Sequence, residues 1–71
     1  MEIKGLKKVL HSIESRFPLD SVEFTITLNN KTKVVFHSYR IVGNSLYIQT
    51  DNVQYNIDAR RITKLDFRAI R

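Results

Sequence analysis

The sequence predicts a mainly β domain with one helix: an N-terminal α-helix within residues 1–17, then, over residues 22–70, a five-stranded, strongly bent antiparallel small barrel. Three observations predict it. Apolar residues recur at helical spacing as far as Phe17. From Val22 the period changes to strict alternation, which is the mark of a half-buried strand. That alternation then slips phase once, around Ser38, where a bend would let a small sheet curl.

In the first segment Ile3, Leu6, Leu10, Ile13 and Phe17 form one apolar stripe with Val9 at its margin. Lys4, Lys7, Lys8, His11 and Ser15 take the opposite side. Pro18 disfavours helical geometry at Phe17, so the helix is expected to end near Arg16. A single stripe means a single docking surface, and the helix should lie on the β unit.

Val22, Phe24, Ile26 and Leu28 alternate with Glu23, Thr25 and Thr27 as the first strand. Asn29, Asn30 and Lys31 follow as a turn, since Asn tolerates the left-handed conformation of tight hairpins. The next run, Lys33 to Val42, alternates through Val34 and Phe36, then places Ser38 where an apolar residue was due and resumes with Tyr39 and Ile41. Gly43-Asn44-Ser45 turns into Leu46 to Thr50, and Asp51-Asn52 into Val53, Tyr55 and Ile57. After Asp58 to Arg61 a last strand runs from Ile62 to Phe67, which completes an up-and-down meander. Phe17, Phe24, Phe36, Tyr55 and Phe67 fall in phase with the core. An open sheet this short leaves two edges that must be closed, covered or paired with another copy.

The 71 residues make room for one domain, which would bury only about 60% of its unfolded surface. No cysteine is available for a disulfide or a zinc site, in keeping with a reducing compartment. The first 17 residues lack the continuous apolar stretch of a signal peptide or membrane span, so a cytoplasmic location and no membrane partner are expected. His11 and His37 are isolated, and Gly5 and Gly43 are too few for a phosphate-cradling loop. Neither catalytic residue, metal ligand nor cofactor is expected. Twelve Lys and Arg against seven Asp and Glu give a formal +5, which invites an acidic partner such as a nucleic acid.

One helix, five short strands, a long bent second strand and a brief turn before the last strand is an order of elements that resembles the Sm-like (Hfq-type) family and other SH3-like small barrels. The stretch YNIDARRITKLDF, residues 55–67, looks like that family's closing segment, in which strand four ends, a turn supplies polar residues, and strand five begins on an isoleucine. The chain departs from the family pattern in having no glycine between Lys31 and Val42, and in carrying Asp58-Ala59-Arg60-Arg61 where the Hfq-type signature has Tyr-Lys-His. The resemblance implies a small barrel, RNA binding, and a self-associated ring with the Arg60 turn at its central opening.

Five basic residues, Arg60, Arg61, Lys64, Arg68 and Arg71, fall in the last twelve positions. Arginine pairs bidentately with phosphate and stacks on bases, which makes adjacent Arg60 and Arg61 the leading candidate contact. Lys31 and Lys33 flank the first turn and could follow a phosphate backbone. Tyr47, out of phase with Leu46 and Ile48, could stack an unpaired base. The same basic residues also suit a solvated edge that discourages aggregation, and the tyrosine an oligomer interface. Two readings stay open: a nucleic-acid-binding module, RNA in preference to DNA, that forms homo-oligomers through strand edges; or a small regulatory module that takes a protein partner at a sheet edge or the helix face.

Overall fold

A computed structural model describes residues 2–50 and 52–70, the side chain of Leu19 excepted. Helix α1 (Ile3–Glu14) is followed by a 3-10 turn (Leu19–Ser21) and strands β1 (Val22–Leu28), β2 (Lys33–Phe36), β3 (Tyr39–Val42), β4 (Ser45–Gln49) and β5 (Gln54–Asp58). A second 3-10 turn (Ala59–Arg61) leads into β6 (Ile62–Ala69). The strands form two three-stranded antiparallel sheets, ordered β2-β1-β6 and β3-β4-β5.

Among the described residues there are therefore six strands in two sheets, not a closed barrel, which corrects the five-stranded expectation. The expected second strand is divided at His37 and Ser38. Phe36 and Tyr39 are three positions apart, so one continuous strand would send them to opposite faces. The two-residue break returns both to the core side, where each packs on Phe24. Phe36 stacks on Phe24 at 5.3 Å between ring centroids, and Tyr39 meets Phe24 at 5.9 Å and Phe36 at 6.1 Å, both edge to face. His37 Nδ1 lies 3.2 Å from the Val22 carbonyl oxygen and ties the crease to the start of β1.

The meander also needs correcting. β6 returns to pair with β1 rather than β5, from Val22 opposite Ala69 to Leu28 opposite Ile62. Thr27 faces Lys64 and Leu28 faces Ile62, so Thr63 is the extra residue of a bulge, and its hydroxyl donates to the Thr27 carbonyl at 3.1 Å. Phe67, expected in the core, stays 41% exposed at the open end of the sheet and packs on Phe17 at 6.1 Å. Val53 lies just outside β5 and is exposed.

The alternation of β1 holds throughout: Val22, Phe24, Ile26 and Leu28 are buried and the residues between them half-buried. With Val34, Phe36, Leu46, Ile48, Ile57, Ala59 and Ile62 they join the helix residues Leu6, Leu10 and Ile13 in one core. The helix depends on that contact. Its twelve residues are marginal in isolation, Glu2 gives it no side-chain cap, and its first turn holds no acid to complement the dipole. Burial of each of its three anchors contributes about 1.5–3 kcal/mol in its place.

A polar clamp fixes the helix to the second sheet. The Tyr39 hydroxyl donates to Glu14 across 25 positions of sequence. Burial, reinforced by the Glu14 carboxylate, pushes the phenol well above its ordinary 10.0. Its proton is thus kept in the folded state while the unfolded chain loses it, so this stabilisation is full below about pH 10 and falls as pH rises beyond it. Tyr39→Phe keeps the ring and removes the hydroxyl. The wild type should have the higher urea midpoint at neutral pH, with the gap narrowing above about pH 10; a constant gap would show that the phenol is not the titrating group.

Candidate functional site

The turn Ala59–Arg61 is where the two sheets meet. Asp58 caps it, its Oδ1 accepting from the Arg60 backbone N–H at 2.9 Å. On one side the Asn29 N–H donates to the Arg61 carbonyl at 2.8 Å, which pins the β1–β2 loop. On the other, the Ala59 N–H donates to the Asn44 carbonyl at 2.9 Å, which pins the β3–β4 turn. Three turns far apart in sequence are thereby held at one end of the molecule.

Each turn has a local reason for its shape. In the first, the Lys31 N–H donates to the Leu28 carbonyl at 2.9 Å and the Leu28 N–H to the Thr32 carbonyl at 2.8 Å. Lys31 takes the left-handed position at φ 71°, as in a three-residue hairpin loop. That role had been expected of an asparagine; Asn30 instead accepts the Thr32 N–H on its Oδ1 at 3.0 Å. In the β3–β4 turn Gly43 has φ 60° and Asn44 does not join it at positive φ, the pattern of a two-residue type II′ turn.

This geometry gathers four of the cations. Lys33 and Lys64 both face Thr27, one from each side, so they flank it on the solvent face of the first sheet. Lys31 sits in the loop pinned by Arg61. All four are exposed. Lys31, Lys33 and Arg61 form no ion pair with a described residue, whereas Lys64 lies 3.5 Å from exposed Asp66. Arg68 is paired with Glu23 at 2.9 Å, and Arg71 lies outside the described residues.

Arg60 differs from its neighbour. Its guanidinium grips Asp58 with two bonds, Nε to Oδ1 at 3.3 Å and Nη2 to Oδ2 at 3.1 Å, although the side chain is 86% exposed. Those bonds, with the Arg60 backbone N–H, hold the Asp58 carboxyl below its ordinary 3.8. Half of the expected arginine pair is therefore already occupied by an acid.

Tyr47 stands apart from the lysines, on the solvent face of the second sheet. Arg40 and Asn56 are its partners in the flanking strands. The Arg40 guanidinium carbon lies 5.7 Å from the ring centroid, and the Asn56 side-chain amide donates to the Tyr47 hydroxyl at 3.2 Å. Asp58, opposite Ser45, puts the Arg60 ion pair at the far end of this same face. The expected site residues thus fall into two groups: Lys31, Lys33 and Arg61 at the junction of turns, and Tyr47 on the second sheet, with Arg60 between the two.

Arg40 was not singled out from the sequence, yet its signal was available. Once Gly43-Asn44 is taken as a two-residue turn, Val42 faces Ser45 and the register carries Arg40 opposite Tyr47. Lys64 offered no such signal, because its place beside Thr27 depends on β6 returning to β1. Among the described residues no three His, Cys, Asp or Glu side chains gather as a metal site would need, and no helix is long and apolar enough to cross a membrane. No protein-family model, curated protein or solved structure matches the chain.

Asp58→Asn retains a capping oxygen while removing the ion pair, so it isolates the charge. The carboxylate's stabilisation is present above its ordinary 3.8 and is lost as pH falls through its lower folded value. The wild type should therefore exceed the variant in urea midpoint at neutral pH and converge with it on acidification below that range. Asp58→Ala, which also loses the cap, should lie lower than both at neutral pH.

Proposed function

We propose that this chain is a non-enzymatic nucleic-acid-binding module for single-stranded RNA, acting through a basic surface on a small, strongly bent β-barrel of the Sm-like or SH3-like kind. The single observation that carries the reading is the junction of turns, which assembles Lys31, Lys33, Arg61 and Lys64 from three parts of the chain around Thr27 and the Asn29–Arg61 bond. Folding together four like charges raises self-repulsion, and a polyanion relieves it. The choice of RNA over DNA rests on the Sm-like order of elements. The lack of cysteine suits action in the reducing cytoplasm.

The barrel reading is supported by the crease. With β2 and β3 taken as one strand bent at His37 and Ser38, the elements run β6-β1-β2/β3-β4-β5, a single sheet folded over one core. In that order β5 and β6 are the open edges. β6 is eight residues long and exposed over most of its length, with β1 on one side only. We propose that copies pair through these edges, which would repeat the basic junction around an assembly. Native mass spectrometry at micromolar concentration should give a closed oligomer of defined copy number, and a monomer throughout would rule out edge pairing.

Neutralisation of four phosphates on a single strand predicts a slope of about −3 for log affinity against log salt, so raising salt from about 50 to 200 mM should weaken binding about fifty-fold. Fluorescence anisotropy with a labelled oligoribonucleotide reads this. Lys31→Ala with Arg61→Ala should flatten the slope by roughly 1.4. Arg60→Ala alone should cost less than Arg61→Ala, because Arg60 must first leave Asp58, and Asp58→Asn should tighten binding. A salt-independent affinity, or an Arg60→Ala, Arg61→Ala double variant that binds unchanged, would defeat the proposal.

A further inference from the structure

We infer that the solvent face of the second sheet is a seat for one unpaired nucleobase, with Tyr47 as its platform, Arg40 as the contact to its phosphate, and Gln49 and Gln54 as the groups that meet its edge. The inference rests on the nucleic-acid reading above and adds to it a second, chemically different surface.

A cleft of about 480 Å³ opens across β3, β4 and β5 on this face, within the range of small-molecule sites. The ladder explains what it displays. Arg40, Tyr47 and Asn56 form one row across the three strands, and Gln49 and Gln54 stand opposite each other in the next. Strand alternation sends these side chains to solvent while Leu46, Ile48 and Ile57 go to the core. The floor is therefore a rigid three-stranded surface with one aromatic ring at its centre.

The chemistry fits a base better than an apolar or cationic ligand. Tyr47 is half-buried and held at its hydroxyl by Asn56, so the ring is already oriented before anything binds. The two glutamine amides each present a donor and an acceptor, which is what the polar edge of any nucleobase requires. Arg40 is exposed and rests over the ring with no ion pair to a described acid, so its guanidinium can pass to a phosphate when a base takes its place. The described residues that line the cleft include a cation, Arg40, and no acid, which disfavours a cation and admits an anion. The Asp58–Arg60 pair at the end of the face connects it to the basic junction, so one strand could reach both.

The test uses the full chain and three labelled probes of equal length: oligouridylate, oligoadenylate, and an abasic oligomer that has only sugar and phosphate. Both base-containing probes should bind more tightly than the abasic one by about 5- to 150-fold, the range of a single base–aromatic stack. Tyr47→Ala should abolish that advantage and leave abasic binding unchanged, while Tyr47→Phe retains it. Gln49→Ala and Gln54→Ala, both at exposed positions, should alter the ratio of adenylate to uridylate affinity, and they keep the test decisive if Tyr47→Ala does not fold. Equal affinity for abasic and base-containing probes would overturn the seat while leaving the basic-surface reading intact. Failure of all three probes to bind would overturn both.

Discussion

The two-residue crease at His37 and Ser38 is the constraint from which the remaining architecture follows. A flat sheet could not close this core, because one twelve-residue helix would leave part of the sheet's apolar face uncovered, whereas a folded sheet covers that face with itself. The crease converts the problem by letting Phe36 and Tyr39, three residues apart, approach Phe24 together. The aromatic trio marks the line along which the two sheets meet, and each ring contributes both buried area and an oriented contact. Because β1 is paired on both sides and buried at every second residue, it acts as the rigid reference about which the crease is set. The helix then covers what the two sheets leave open, anchored by Leu6, Leu10 and Ile13 and by the Tyr39–Glu14 bond.

Closure of the core also determines where charge can gather. The sheets have apolar inner faces with no buried polar side chain among the described residues, so the ionic groups must lie on the outer faces and the turns. The turns are not free to wander, since backbone bonds from Asn29 and Ala59 fix two hairpin ends to the segment Ala59–Arg61. Backbone pairing of this kind leaves the side chains uncommitted, and Lys31, Lys33 and Arg61 form no ion pair with a described residue. Lys31 sharpens the point, for a residue with a Cβ at φ 71° sits in a conformation disfavoured by about 1–2 kcal/mol relative to the right-handed one. Glycine would occupy that position with less strain, but it would carry no charge to the junction.

Much of this fold was legible in one dimension, and the reason differs from element to element. Alternation from Val22 to Leu28 marked β1 to the residue, because a strand with one wet face must switch polarity at every step. The helical stripe named Leu6, Leu10 and Ile13, and the phase slip at Ser38 located the crease. The strand count came out wrong because a bend and a break give the same pattern of polarity; the hydrogen-bond ladder alone distinguishes them. The return of β6 to β1 was hidden for another reason. Pairing between strands separated by some forty residues leaves no local trace, so the bulge at Thr63, the placing of Lys64 and the exposure of Phe67 were hidden with it. Basic residues were visible as a list, but the occupation of Arg60 by Asp58 depended on side-chain geometry at a cap.

On the proposed function, the two surfaces would divide the work according to their physics. Charges at flexible side-chain ends attract any polyanion and discriminate poorly among sequences, since phosphate is common to all of them. Discrimination requires donors, acceptors and a flat apolar surface held in place, which loops supply less well than strands. The second sheet has that property: the backbone ladder fixes Arg40, Tyr47 and Asn56 in one row, and the Asn56 bond removes the rotational freedom of the tyrosine hydroxyl. The basic junction would then set the strength of attraction and its sensitivity to salt, while the sheet face would set preference among bases. Arg60, exposed yet held by Asp58 between the two, is placed to exchange its carboxylate for a phosphate as a strand passes from one surface to the other.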